Sequence, residues 1–239
     1  ETTLTSTRPI PLYECNLTLD TGNSYRDNIE DIMNTMGLAE LTWSSEGKYK
    51  LLLEYPSSEV ALRGLVDSSH NFTDDDIVRS ENVDISYNAA LDRLNQCTVS
   101  FLNEHEDFKE DSVTWTVTNS TAHNTYLSED NDQPFTSQVQ PAGITDPYHA
   151  TALAEQLVRK ARSIYIVSLT LSKKSLNLEP GDFITIDSEV AGIDDEVFRV
   201  ESIKVSADLT AKITAYKFDH TMLSWNVNDD IAYEVAPTY

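Results

Sequence analysis

The chain has 239 residues, of which 40% are hydrophobic, and it carries 40 acidic against 17 basic side chains for a net charge of −23. That length and apolar content fit a folded protein of two domains or one large β-domain. So acidic a surface repels polyphosphate and anionic membranes, which counts strongly against reading or packaging nucleic acid, yet leaves room for a duct through which DNA passes without sticking.

The charge is uneven, with 25 acids and 8 bases in residues 1–140 against 15 and 9 in residues 141–239. Solubility or a salty environment is the plainer source of such a charge. Two cysteines are too few for a disulfide framework. Cys15 shares an alternating apolar face with Tyr13, Leu17 and Leu19, and Cys97 shares one with Val99 and Phe101, so each reads as a small core residue. Whether the two pair stays open. The Thr/Ser-rich start is not a charged-then-apolar leader and no apolar run approaches bilayer length, so neither a signal peptide nor a membrane span is expected. Glu1 as first residue points to a processed chain or an excised segment, and whether further domains flank it stays open.

Residues 1–10 read as a flexible lead-in, and Leu12 to Leu19 as a strand. Asp20 to Asn23 is a turn, and Ser24 with Asp27 three residues on signals a helix start. Ile29, Ile32, Met33 and Met36 then recur at helical spacing, with the methionines read as core, and Gly37 ends the helix. Leu38–Trp43 and Lys48–Glu54 flank a turn with a late glycine, which predicts a hairpin with Tyr49, Leu51 and Leu53 on one face. An acidic stretch follows, then a strand through Val83, Ile85 and Tyr87. Gln96–Leu102 and Ser112–Val117 are expected to pair across the loop 103–111, with Trp115 in the core rather than serving as a stacking platform.

Asp146-Pro147 opens a helix whose residues Ala150, Leu153, Ala154, Leu157, Val158 and Ala161 make one apolar stripe. Arg159, Lys160 and Arg162 are read as complements to the dipole of its last turn. Ile164–Leu171 is a strand with Tyr165, Val167, Leu169 and Leu171 on one face. Glu179-Pro180-Gly181-Asp182 has the residues of a type II turn and leads into a strand at Phe183–Ile186. Gly192 and Asp194-Asp195-Glu196 read as a loop between that strand and Val197–Val205, and Leu209–Tyr216 alternates as a last strand. Residues 219–239, with Trp225, Ile231, Tyr233 and Val235, are a final strand or a tail packing on a neighbour. The fold class is mainly β with accompanying helices, α+β, drawn as a small barrel or sandwich with a helix across it.

Catalytic and cofactor chemistry is not expected. The runs Asp74-Asp75-Asp76 and Glu129-Asp130-Asn131-Asp132 lack the glycine and distant glutamate of a calcium loop. His70, His105, His123, His149 and His220 show no metal-ligand spacing, and C-x-x-C is missing. There is no glycine-flanked nucleophile turn, and seven glycines supply no phosphate-cradling loop. Paired carboxylates carry no signal in a chain with forty acids. No catalytic, cofactor-binding or metal residues are therefore assigned. The three N-x-S/T matches, beginning at Asn16, Asn71 and Asn119, are taken as chance.

The ordered set of a helix ending in basic residues, a strand, Leu178-Glu179-Pro180-Gly181-Asp182-Phe183-Ile184-Thr185-Ile186, then Phe198 to Ile203 and Tyr216 to Asp219, resembles the hub part of tailed-phage tail-tip and baseplate proteins. Gene transfer agent hub proteins look similar there. The capped helix, Glu46 to Leu51, Asp74 to Ile77 and Leu94 to Phe101 extend the likeness from about Tyr13 to Phe218. The resemblance implies a first hub β-domain at residues 11–117 with a helix at 24–36, the connector 118–145, and a second hub domain at 146–239 with a helix at 146–162 and a small β-barrel. It further implies a non-enzymatic virion protein of the phage tail, assembled in the host cytoplasm. Its subunits would form a ring, trimeric by family likeness, with other tail proteins (tail tube, distal tail protein, fibre or spike) as partners and genome DNA passing through non-specifically. Ring closure would bury strand edges and the helix stripe between subunits. The alternatives are a host-surface module binding glycan or protein through aromatics such as Trp43, Tyr126 or Trp225, and a tail-associated cell-wall hydrolase.

Overall fold

A computed structural model describes residues 14–37, 39–44, 46–53, 70–78, 83–87, 93–118, 120–163 and 165–218. The expected strand positions Leu12 and Tyr13, the tail from Asp219 with Trp225, and His220 lie outside the described residues. Among the described residues the fold is mainly β with three helices: α1 (Tyr25–Met36), α2 (Thr121–Glu129) and α3 (Pro147–Ser163). The strands are β1 (Glu40–Trp43), β2 (Tyr49–Leu52), β3 (Asn71–Thr73), β4 (Asp84–Tyr87), β5 (Gln96–Asn103), β6 (Lys109–Trp115), β7 (Thr136–Val139), β8 (Tyr165–Leu171), β9 (Phe183–Ser188), β10 (Ile193–Val205) and β11 (Ala211–Lys217).

Two compact units form, and they interleave along the sequence rather than meeting at a connector. One takes the described parts of residues 1–39 and 90–162, the other those of 40–89 and 163–218. The stretch 118–145, expected as a connector, falls within the first of these units. That stretch instead holds α2 and β7, and β7 pairs in parallel with β5, from Gln96 against Thr136 to Val99 against Val139.

In the first unit β5 is the centre of a three-stranded sheet, in the order β6, β5, β7. Its alternation puts Cys97, Val99 and Phe101 inward against Val113 and Trp115 of β6, as expected from the sequence. Helix α3 lays Ala150, Leu153, Ala154 and Val158 on that layer. Its apolar stripe is thus consumed within the unit, not held for a neighbouring subunit. The helix starts where the sequence says it should: Asp146 accepts the Tyr148 N–H at 2.7 Å through Oδ1, and Pro147 takes the first position, where it forfeits no helical bond.

Helix α1 is capped by Ser24, whose hydroxyl accepts from the Asp27 N–H, and ended by Gly37 at a φ of 70°. A β-carbon at Gly37 would stand 2.0 Å from Leu153 Cδ1, so the glycine also permits close packing on α3. The α1 stripe is less buried than its pattern implied. Thr35 is its fully covered residue, donating to the Asp31 carbonyl and accepting the Gly143 N–H at 3.1 Å, whereas Ile32, Met33 and Met36 are half-buried and Ile29 is 42% exposed. Residues 14–19 run as extended chain outside any strand, tied by the Asn16 N–H to the Gly143 carbonyl. Cys15 is exposed there, against the expectation of a core residue, and both cysteines are free thiols.

The second unit contains the β1–β2 hairpin and a six-stranded sheet in the order β3, β9, β10, β11, β8, β4. All its ladders are antiparallel except β3 on β9. β3 and β4 end the sheet, so among the described residues it is open and no barrel closes. Val167, Leu169, Leu171, Ile184, Ile186, Phe198 and Ile213 fill its core, which matches the expected alternation in β8 and β11. The Pro-Gly turn forms as predicted, with the Asp182 N–H bonded to the Glu179 carbonyl and Gly181 at a φ of 93°. The run Asp194 to Glu196 is not a loop. It lies inside β10, where the ladder with β9 slips between Ile193 and Glu196 and Asp195 adopts a φ of 47°. Such a bulge lets Asp194 and Asp195 face solvent while the strand continues, and Glu196 is half-buried and paired with Lys217 at 2.6 Å.

Candidate functional site

The side chains that could carry chemistry fall into four places. The run Asp74 to Asp76 follows β3 and is spent largely on closing its own turn. Asp76 accepts the Thr73 N–H and the Lys174 ammonium at 2.9 Å, while Asp74 accepts from the Ser188 hydroxyl and, at 3.0 Å, from the Glu189 N–H. Thr73, Asp74, Asp75, Asp187 and Glu189 line an open acidic depression.

The second place is the run Glu129 to Asp132 at the end of α2. Arg162 reaches it from the last turn of α3, donating to Asp130 at 2.7 Å and to Glu129, and to the Leu94 carbonyl at 3.3 Å. Its guanidinium also stacks 4.2 Å above the Tyr126 ring. Burial lowers the Arg162 pKa, and the hydrogen bonds and charges of Asp130 and Glu129 outweigh it, so the net shift is upward. Arg159 likewise pairs with the buried Glu155 one turn earlier and lies over Trp115 at 5.7 Å. These arginines were expected to complement the helix dipole. Arg162 does sit in that last turn and in addition ties α3 to α2, through residues 32 and 33 positions away that leave no local trace, whereas Arg159 pairs within α3 itself. Trp115 and Tyr126 are packed beneath them, which removes Tyr126 from the exposed aromatics expected of a host-binding module.

The third place is a meeting of side chains that sequence spacing concealed. Glu104 and His105 sit on a 3-10 turn between β5 and β6, and Asp146 caps α3. His105 Nε2 lies 3.9 Å from Glu104 Oε1 and 3.9 Å from Asp146 Oδ2. Two acids and a histidine separated by about forty residues carry no motif; only the contact of the turn with the helix start assembles them. Nearby, His149 is buried on α3, and burial lowers its pKa although Glu14 and Asp146 pull the other way. His123 is bonded to the Thr116 hydroxyl at 2.9 Å, a packing role.

The fourth is apolar. The hairpin turns Leu41, Trp43, Tyr49 and Leu51 outward, at 39%, 56%, 67% and 49% exposure. Trp43 and Tyr49 are cross-strand partners with ring centroids 4.2 Å apart. Tyr49 and Leu51 share a face, as the sequence indicated, and that face is the outward one. On the opposite face Leu52 is buried against Gly181, and Lys50 reaches Glu179 at 3.4 Å and Asp182 at 3.6 Å. No helix among the described residues is long and apolar enough to cross a membrane.

A mainly β fold of interleaved units, with charged clusters engaged in packing and an apolar hairpin face left outward, has the character of an assembly component. Comparison with known proteins bears on this directly. A family model described as a putative phage tail protein matches residues 24–203, and the chain belongs to that family. It is 23% identical over 198 residues to the baseplate hub protein pb3 of Escherichia phage T5, a match covering 82% of this chain and 19% of that protein. In fold it is similar to a chain of the native gene transfer agent particle virion, with a TM-score of 0.61 and 12% identity over 83% of this chain and 40% of that one. It is also similar to the 43 kDa tail protein of prophage MuSo2 from Shewanella oneidensis, with a TM-score of 0.52 and 10% identity over 87% of this chain and 58% of that one. The chain therefore spans about a fifth of its curated relative and roughly half of the solved ones. The resemblance seen in the sequence is thus sustained: this is a phage tail protein, similar in sequence to a baseplate hub protein.

Proposed function

We propose that the chain is a wall-forming, non-catalytic part of a tail-tip or baseplate hub, assembling with copies of itself and with neighbouring tail proteins into a ring that closes the tail tube and lets the genome through. The observation that carries this reading is the outward apolar face of the β1–β2 hairpin, Leu41, Trp43, Tyr49 and Leu51, on a chain of net charge −23. A cross-strand aromatic pair exposed beside two leucines is costly in water and gains by burial against a protein surface. The charge fits the same role, because a lumen lined by carboxylates offers DNA phosphates no cations to pair with. The T5 relative is named as a baseplate hub protein, and the gene transfer agent neighbour comes from a whole particle.

The test is the mass of the purified chain in solution, alone and with its tail-tube neighbour. A closed oligomer, a trimer by family likeness, is expected in at least one of these states. A monomer in both would overturn the ring. Within a solved assembly, acids on the outer surface around a neutral or basic lumen would remove the charge argument and leave the assembly role standing.

A further inference from the structure

Glu104, His105 and Asp146 place one ligand atom each within 4.8 Å of one another, and this arrangement lies inside the first unit. The two His105 Nε2 separations of 3.9 Å are too long for hydrogen bonds. They are close to what a bound ion needs: a point at the centre of the three donors lies roughly 2.5 Å from each, against about 2.0–2.2 Å for nitrogen and carboxylate ligands of zinc. Small rotations of two side chains that are about one-third exposed would close the difference.

The surroundings already hold the donors in place. The Glu104 N–H donates to the Thr145 carbonyl at 3.0 Å, and the Thr145 hydroxyl donates to Glu104 Oε2 at 3.0 Å, which leaves Oε1 towards the imidazole. The Asn16 amide donates to the same hydroxyl at 3.0 Å. Asn103 accepts the His105 N–H at 2.9 Å, fixing the turn that carries both residues. Asp146 uses Oδ1 for the Tyr148 N–H and presents Oδ2 to His105. Carboxylates oriented by neighbouring hydroxyls and amides are the usual supports of a protein metal site.

We infer that Glu104, His105 and Asp146 bind a divalent first-row transition cation of the zinc class, pinning the β5–β6 turn to the start of α3. The donor set decides the class. An imidazole nitrogen beside two carboxylates suits zinc, manganese or iron, whereas calcium and magnesium take oxygen alone. The positive end of the helix dipole opposes a cation at this position, so a single carboxylate would not suffice. Two carboxylates balance the ion's charge and reverse that bias.

The experiment is titration of the full chain with Zn²⁺ alone against a chromophoric competitor, with the thermal unfolding midpoint read in parallel. One equivalent is expected to bind and to raise the midpoint. His105→Gln and Glu104→Gln, at partly exposed positions, should keep the native circular dichroism and lose binding. Thr145→Val should weaken it about tenfold by freeing the Glu104 carboxylate. Zn²⁺ binding that survives in His105→Gln, binding of Ca²⁺ in preference to Zn²⁺, or no binding to the wild-type chain would each overturn the site. None of these outcomes depends on whether the chain forms a ring.

Discussion

Arg162 and Asp130 face each other at 2.7 Å between the last turn of α3 and the end of α2, with side chains 11% and 2% exposed. Asp130 also accepts from Asn95 at 3.1 Å. Removing the arginine leaves a buried carboxylate with one neutral donor, which is far costlier than losing a surface pair. Arg162→Met is expected to destabilise the fold by about 3 kcal/mol, seen as a lower urea midpoint at unchanged slope. The double variant Arg162→Met/Asp130→Leu should recover a good part of that loss, since both charges are then gone.

Gly181 shows how a turn glycine differs from an open one. At a φ of 93° its missing β-carbon would lie 2.3 Å from Leu52 Cδ2, whereas Gly47 at a φ of 70° has open space around it. Gly47→Ala should cost about 1–2 kcal/mol, the conformational term alone. Gly181→Ala adds overpacking of the hairpin seat and should cost about 3 kcal/mol. Combining it with Leu52→Ala should be less damaging than the sum of the two single changes, a coupling that denaturant melts of the four proteins would measure.

The sequence was informative where structure is local. The Asp146-Pro147 start, the stripe of α3, the alternation of β8 and β11 and the Pro-Gly turn each depend on residues within a few positions, and each is present. What escaped depends on long-range pairing. β7 exists because β5 lies beside it, and β3, three residues long, exists because β9 does. The hairpin pattern Tyr49-Lys50-Leu51-Leu52 is apolar on both faces, so the burial of Leu52 against Gly181 decided which one turned inward, and no periodicity fixes that. Asp194 to Glu196 looked like a loop by composition, and a bulge kept it in a strand. The Glu104, His105, Asp146 cluster had no spacing to betray it, because chain reversal between β5 and α3 creates it.

The two thiols should behave oppositely. Cys97 is fully buried in the β5 layer, and burial pushes its pKa up to about 11, so almost no thiolate forms near neutrality. Cys15 is exposed. A thiol reagent at pH 8 should label one cysteine rapidly in the native chain and two in denaturant, with Cys15→Ser abolishing the fast phase. Two fast sites in the native protein would contradict the burial of Cys97.

Stability should fall with acid through His149. Burial is the larger influence on this imidazole and lowers its pKa in the fold, against the opposing pull of Glu14 and Asp146. Below the ordinary histidine pKa of about 6.5 the unfolded chain therefore takes up a proton before the folded one does. Binding more protons in the unfolded state means that stability rises with pH. The contribution is whole above the unfolded value and is lost as pH falls from there through the lower folded value. Unfolding midpoints measured between pH 7.5 and pH 5 should decline for the wild-type chain. In His149→Gln, which keeps a polar group of similar size but does not titrate, the decline over that window should be shallower. An equal slope in both proteins would assign the acid sensitivity to carboxylates instead, whose protonation is centred below that range.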